Sequence, residues 1–222
     1  MILRDKIISR AQGEGRAYLM EHECKEILEK QGLSTTGASA VQTREEAVEL
    51  SSRIGYPVVL KVLSPEVVHK SDAGGVKLNL KSAAEVERAF DEIERAFAGK
   101  KLAGVAVQKM ASPGLEAIIG VNRDPTFGPV LMFGLGGIFV EVLKDVSFRI
   151  LPVTGKDIDA MLREIRGYTL LKGYRGRSVD LPALKELLLK VSELVLCYPE
   201  IKELDLNPVF LYEDGNIIVD AR

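Results

Sequence analysis

The sequence has no tryptophan, two cysteines, two histidines, four asparagines and four glutamines in 222 residues. Cys24 and Cys197 form no Cys-x-x-Cys pair and have no histidine at metal-ligand spacing, so a disulfide framework and a thiolate zinc site are excluded. Both are expected to be buried and inert. Neither charge sign dominates, with 30 Lys and Arg against 32 Asp and Glu, so no basic stripe points to nucleic acid or an anionic membrane. No apolar run approaches the roughly 20 residues of a membrane span, and the N-terminal stretch MILRDKIISRAQGEGR lacks an apolar signal core, so a cytoplasmic enzyme is expected. Few amides beside abundant Lys and Glu form a balance that fits proteins of hot environments.

What is present is ordered punctuation. Residues 1–17 read as a short N-terminal arm. From Tyr18, the apolar residues Leu19, Cys24, Ile27 and Leu28 recur at helical spacing until Gly32, a natural helix-ending glycine. Thr43 with Glu46 and Ser82 with Glu85 match the capping box, in which a hydroxyl and a carboxylate satisfy orphan amides; they predict helices over 44–54 and 83–97. Between them, YPVVLKVLS and the alternating VKLNL predict strand, glycine-bearing loop, strand. Further strands are expected at 104–110, 116–121 and 129–133, with a second sheet beginning at Gly104. Thr154 to Asp157 and Leu181 to Leu196 predict two more helices, and LNPVFLYEDGNIIVDA a closing hairpin that turns at 213–216. The pattern is that of an α/β (α+β) chain in two lobes, 18–102 and 103–222, with a cleft between lobes as the usual place for a ligand.

Three constellations carry chemistry. Lys61 on a strand precedes Ser71-Asp72-Ala73-Gly74-Gly75, where adjacent glycines let amides surround phosphate oxygens and the lysine supplies charge. A lysine at a solvated sheet edge and a plain glycine turn fit the same residues, and no Walker order is present. His69 lies in that loop; a neutral imidazole is a good phosphoryl acceptor, although an exposed loop histidine or a static phosphate ligand fits too. His22, on a charged helix, reads as a surface residue. Asp205 and Asn207 alternate on one strand behind Glu203, and Asp220 on the paired strand joins them, a hard-oxygen set suited to Mg²⁺ or to a merely polar sheet face. The glycines of GVNRDPTFGP and Gly134-Leu-Gly-Gly137 allow close backbone approach, and Arg149 fits either a phosphate contact or a packing salt bridge with Glu141.

Taken in order, PVVLKV, VVHKSDAGGVKL, VQKMASPGLEAIIGVNRDPTFGPVLMFGLGG and LDLNPV resemble the ATP-grasp β subunit of ADP-forming acyl-CoA synthetases, such as acetate–CoA ligases, over almost the whole chain. The resemblance implies an ATP-grasp fold with an adenine nucleotide bound between two lobes. It implies an enzyme that interconverts acyl-CoA, ADP and phosphate with a carboxylic acid, ATP and CoA. A CoA-binding α subunit, in an α2β2 heterotetramer, would pass a phosphoryl group from its own histidine to His69 and on to ADP. By position, Lys61, Gly74 and Gly75 would bind phosphates; Gln108, Lys109 and Met110 would form the adenine hinge; Glu116 would meet the ribose. Asn207 and Asp220 would hold Mg²⁺, and Asp205 would act with His69, either orienting it or supporting the metal from outside its immediate ligands. The related succinyl-CoA synthetase β subunit carries an arginine at the His69 position, so a histidine favours the two-histidine relay. Two other readings remain at this level: an ATP-grasp ligase making its acyl phosphate directly, and a nucleotide-sensing module without catalysis.

Overall fold

The computed structural model describes residues 5–64, 73–173 and 178–222. Contacts divide the chain into two compact units. One comprises Arg10–Glu26 and Thr36–Ser112; the other comprises Ile27–Thr35 and Pro113–Arg222 with the chain up to Ser9.

The elements run α1 (Lys6–Gly13), α2 (Glu21–Lys30), β1 (Ser39–Val41), α3 (Arg44–Ile54), β2 (Val58–Leu63), β3 (Val76–Leu80), α4 (Ala83–Ala96) and β4 (Gly104–Lys109). They continue as β5 (Leu115–Asp124), β6 (Gly128–Leu135), α5 (Ile138–Glu141), β7 (Val146–Ile150), α6 (Gly155–Glu164), α7 (Tyr168–Lys172), α8 (Leu181–Cys197), β8 (Glu203–Leu211) and β9 (Asn216–Ile218).

The first sheet is antiparallel in the order β1-β4-β2-β3. Alternation along β2 puts Val58, Leu60 and Val62 into a cluster with Ala47 of α3 and Val86, Phe90 and Ile93 of α4. Val59, Lys61 and Leu63 therefore point to the opposite face, and they are buried as well. Both flanking helices begin at the hydroxyl caps expected from sequence: Thr43 with a complete box, and Ser82 accepting from the Glu85 amide. The expected second sheet does not begin at Gly104. Strand β4 lies between β1 and β2, with Val107 opposite Leu60; its composition announces a strand but not its neighbours.

The second sheet is β7-β6-β5-β8-β9, again antiparallel. Ala117, Ile119, Val121, Leu131, Phe133 and Leu135 are its buried apolar side chains on β5 and β6, and α6 packs against α8 and β7. The capping box at Thr154 and Asp157 opens α6, and Asp180 caps α8 at the Ala183 amide. The closing hairpin turns where expected, with Gly215 at φ 95 and the Tyr212 amide donating to its carbonyl. The pattern missed four short elements, β1, α5, β7 and α7, too brief for periodicity to register. It also left open the order of the N-terminal arm, which contains α1.

Candidate functional site

In the four-stranded unit the central feature is Lys61. Its Nζ donates to Glu21 Oε1 at 2.6 Å, and Lys25 Nζ approaches the same oxygen at 2.9 Å. Lys25 also reaches Thr36 Oγ1 at 2.8 Å, the Gly37 carbonyl at 3.4 Å and Gln108 Oε1 at 2.7 Å. All are deeply buried: Lys25 is 1 %, Glu21 2 %, Gln108 2 % and Lys61 5 % exposed. Buried ammonium groups persist only when paired, and both lysines meet this one carboxylate. The register explains the grouping, because Val59 faces Gln108 and Lys61 faces Ala106, which puts Lys61 and Gln108 diagonally on one face. A lysine on a solvated edge is thereby excluded. Sequence reading passed over Glu21 and Lys25; the only signal was a glutamate four residues before a lysine on a helix otherwise read as a charged surface.

The hinge residues differ among themselves. Lys109 Nζ is committed to the Gly55 and Tyr56 carbonyls, at 2.6 and 2.8 Å, where it closes the C-terminal end of α3. The Met110 amide donates to the Pro57 carbonyl at 3.1 Å. The Gln108 side chain accepts through its oxygen from Lys25, which leaves its NH₂ as the donor end. At the phosphate loop, Gly74 has φ 73 with open space where a Cβ would stand, and the Gly75 carbonyl accepts from the Val62 amide at 2.8 Å. His69, with Ser71 and Asp72, lies outside the described residues. His22 is half-buried rather than a free surface histidine: its Nδ1 is buried with no hydrogen-bond partner among the described residues, and burial pushes its pKa down.

In the five-stranded unit, one antiparallel register runs from the hairpin to the end of the chain. Phe210 faces Ile217, Leu206 faces Ala221, and backbone bonds join Asn207 to Asp220 and Asp205 to Arg222. Asp205, Asn207, Asp220 and Arg222 thus share one face. Against β5 the register slips between Ala117 and Ile119, opposite Asn207 and Pro208, and buried positions change from Leu204 and Leu206 to Val209 and Leu211. Such a bulge re-aims side chains, and it sits at the candidate metal residues. Burial pushes the Asp205 carboxyl above its ordinary range, Arg222 opposes that shift, and Glu203 adds to it. Among the described residues no group of three His, Cys, Asp or Glu side chains is placed to hold a metal ion. Two carboxylates and one amide oxygen on a face still match what a hard cation takes when waters and phosphates complete its shell.

Glu116 is exposed on β5, and its carbonyl accepts from the Gly136 amide at 2.7 Å. A Cβ on Gly136 would stand 2.8 Å from Glu116 Cβ, so this glycine is what lets the turn close over the glutamate. Arg149 pairs with Glu164 at 2.5 and 2.8 Å rather than with Glu141, which lies in α5. Arg123 donates to the Ile201 and Val195 carbonyls, and Asp124 accepts from the Thr126 and Phe127 amides, so this motif builds a turn and ties down the end of α8. Cys24 is buried as expected; Cys197 is partly exposed.

The ATP-grasp domain family matches residues 10–222. The chain belongs to the ATP-grasp family. Within it, the chain is 50 % identical over 222 residues to the β subunit of acetate–CoA ligase (ADP-forming) I of Pyrococcus furiosus, covering 98 % of this chain and 95 % of that one. Acetate–CoA ligase (ADP-forming) II of Archaeoglobus fulgidus is 50 % identical over 92 % of this chain, which spans 30 % of that longer protein. In structure this chain superposes on the acetyl-coenzyme A synthetase 1 of Ca. Korarchaeum cryptofilum, solved with coenzyme A and Ca-AMPCP, with TM-score 0.93 and 46 % identity over 96 % of each chain. A second structure of that protein, with coenzyme A and Mg-AMPPCP, has its phosphohistidine segment pointing towards the nucleotide-binding site; the match there is TM-score 0.86 and 46 % identity over 97 % of this chain and 96 % of that one. No helix among the described residues of this ATP-grasp chain is long and apolar enough to cross a membrane.

Proposed function

We propose that this chain is the nucleotide-handling β subunit of an ADP-forming acyl-CoA synthetase, working with a CoA-binding α subunit in an α2β2 assembly. The enzyme would interconvert acyl-CoA, ADP and phosphate with a carboxylic acid, ATP and CoA. The reading is carried by the register that gathers Asp205, Asn207 and Asp220 on one face, a donor set matched to a metal–nucleotide ligand.

In this proposal Lys61 binds nucleotide phosphate oxygens, Gly74 and Gly75 present the phosphate loop, and Gln108 with its neighbours Lys109 and Met110 meets adenine. Lys109 would contribute through its backbone, since its ammonium is committed to carbonyls. Glu116 receives the ribose. Mg²⁺, held by Asn207 and Asp220, would neutralise charge on the phosphates. His69 takes the phosphoryl group from the α subunit. In the second transfer its N–P bond breaks, an oxygen of the ADP terminal phosphate forms the new P–O bond, and the imidazole nitrogen takes up a proton. Asp205 would serve either to orient that imidazole or to support the metal from outside its immediate ligands. Positioning and charge neutralisation supply most of the rate in such transfers, which is why the site needs few reactive groups.

The test is incubation of the chain, alone and with its α partner, with γ-labelled ATP and Mg²⁺. Label that is lost in acid and stable to base identifies phosphohistidine, and its absence under every condition sinks the relay. His69→Ala should abolish turnover while nucleotide affinity changes by less than about threefold. Equal loss of binding and turnover would instead mark His69 as a structural residue.

A further inference from the structure

A lysine on a strand is positioned at its Cα by the sheet, but its ammonium rides on a flexible four-carbon stem with many rotamers. Strand β2 alone therefore does not fix where the Lys61 charge stands. The buried carboxylate of Glu21 does, at 2.6 Å. Glu21 is itself held by Lys25, four residues on along α2, at 2.9 Å. Lys25 faces four acceptors, Glu21, Thr36, Gly37 and Gln108, with the three N–H bonds of one ammonium. Its hydrogen-bonding capacity is filled by the fold. A buried charge cluster of this kind is a poor stabiliser, because well-packed apolar side chains of the same volume do as well without the desolvation cost. Stability alone does not account for it.

We propose that Glu21 is a positioning residue for nucleotide binding, holding the Lys61 ammonium in place for phosphate while Lys25 anchors Glu21 on one side and Gln108 on the other. The proposal rests on the reading of Lys61 as a phosphate ligand. It distinguishes the reach of two adjacent charges, since Glu21 touches only the phosphate end of this network and Lys25 touches the base end as well. Glu21 serves the phosphate end through Lys61, and Lys25 serves the base end through Gln108. Loss of each should therefore be felt by different parts of the ligand.

Affinities for Mg-ADP and for adenosine are measured by calorimetry and competition on the full chain, and folding is checked by thermal melts. Lys61→Met lowers the ADP-to-adenosine affinity ratio. Glu21→Gln lowers the same ratio by about tenfold or more, with adenosine changed by less than about threefold. Lys25→Met, which frees Gln108 as well as Glu21, weakens adenosine by more than about threefold along with Mg-ADP, a loss at the base end that Glu21→Gln does not show. Should Glu21→Gln fail to fold because the buried Lys25 ammonium loses this carboxylate, the double variant Glu21→Gln/Lys25→Met removes that charge, and its ratio falls as in Glu21→Gln. A ratio that falls in Lys61→Met but not in the Glu21 variants overturns the proposal and leaves Lys61 as the phosphate ligand. Equal loss of ADP and adenosine in Glu21→Gln makes Glu21 merely structural, and tighter ADP binding makes it a competitor of the phosphate; either overturns the proposal. An unchanged ratio in Lys61→Met sinks the Lys61 reading and the proposal with it.

Discussion

Lys61 and Asn207 occupy equivalent places in two different sheets, each on the strand next to an edge strand, β2 beside β3 and β8 beside β9. Their surroundings are opposite. Lys61 is buried and braced by side chains of α2, which begins forty residues earlier. Asn207 is exposed, and what holds it is backbone: the pairing with Asp220 on one side and a register slip against β5 on the other. A charged group taken out of water must be held by other charges, so its position depends on distant side chains. A neutral donor at the surface needs only a strand that points it. The two units thus prepare polar groups by side-chain ion pairing in one case and by main-chain geometry in the other.

That contrast is broken most directly at Asn207. If its side chain serves ligand binding and not the fold, Asn207→Ala should cost about 100-fold in turnover at fixed Mg²⁺, the scale of losing one preorganised electrostatic contact. Stability should shift by no more than about 0.5 kcal/mol, as for other exposed substitutions. Activity against Mg²⁺ concentration together with a urea melt checks both parts. A variant that unfolds early would show that the side chain, not the register, holds the strand.

The same contrast governs what could be read from sequence. Thr43 with Glu46 and Thr154 with Asp157 were legible as helix starts because the interaction spans three residues and needs no partner from elsewhere. The pairing of Asp220 with Asn207 was legible because a short hairpin fixes register. The brace on Lys61 was not, since nothing local links Glu21 to a strand so far along the chain. Nor was the membership of β4 in the first sheet, or the choice of Glu164 over Glu141 by Arg149. In each case the pattern names the element and long-range packing names its neighbour. The Asn207 bulge falls in the same class, because an extra residue in one strand shows only against its partner.

Acid should separate the units next. Burial works to raise the Glu23 carboxyl, yet hydrogen bonds from Arg16, the Met20 amide and Arg10 bring its pKa down to about 2. A carboxyl lowered by folding stabilises the native state fully above its ordinary pKa of about 4.3. That contribution is lost as pH falls from there toward about 2. On the order of 2 to 3 kcal/mol is at stake, from linkage of the shift to stability. Melts between pH 6 and pH 2 should therefore show a slope that Glu23→Gln flattens, with the variant already weaker at pH 7. An identical slope in the variant would remove Glu23 from the account.

Gly136→Ala tests the unit built on main-chain geometry. The added methyl would meet Glu116 Cβ at 2.8 Å and its carboxylate at 3.3 Å, so either β5 or the 134–137 turn must shift. Overpacking of this kind costs about 1 to 3 kcal/mol. Turnover should fall along with stability, because the displaced residue is the proposed ribose contact. Full stability with full activity would mean that the turn yields freely and that Glu116 does not depend on it.

The smallest expected effects come from the two capping boxes, one in each unit, which make a matched pair. Thr43 accepts from the Glu46 amide at 3.2 Å, and Thr154 accepts from the Asp157 amide at 3.4 Å. Replacing either by Ala should cost about 1 kcal/mol, the usual value of a hydroxyl cap. Thr154 has an additional bond, since its hydroxyl donates to Asp157 Oδ2 at 2.6 Å, so its loss should be the larger of the two. Hydrogen exchange resolved by residue reads where each loss is felt. If the units open independently, Thr43→Ala speeds exchange in α3 and the first sheet, whereas Thr154→Ala speeds it in α6 and the second. If both variants accelerate exchange throughout the chain, the units unfold as one cooperative body, and the different means by which they hold Lys61 and Asn207 operate within a single folding unit.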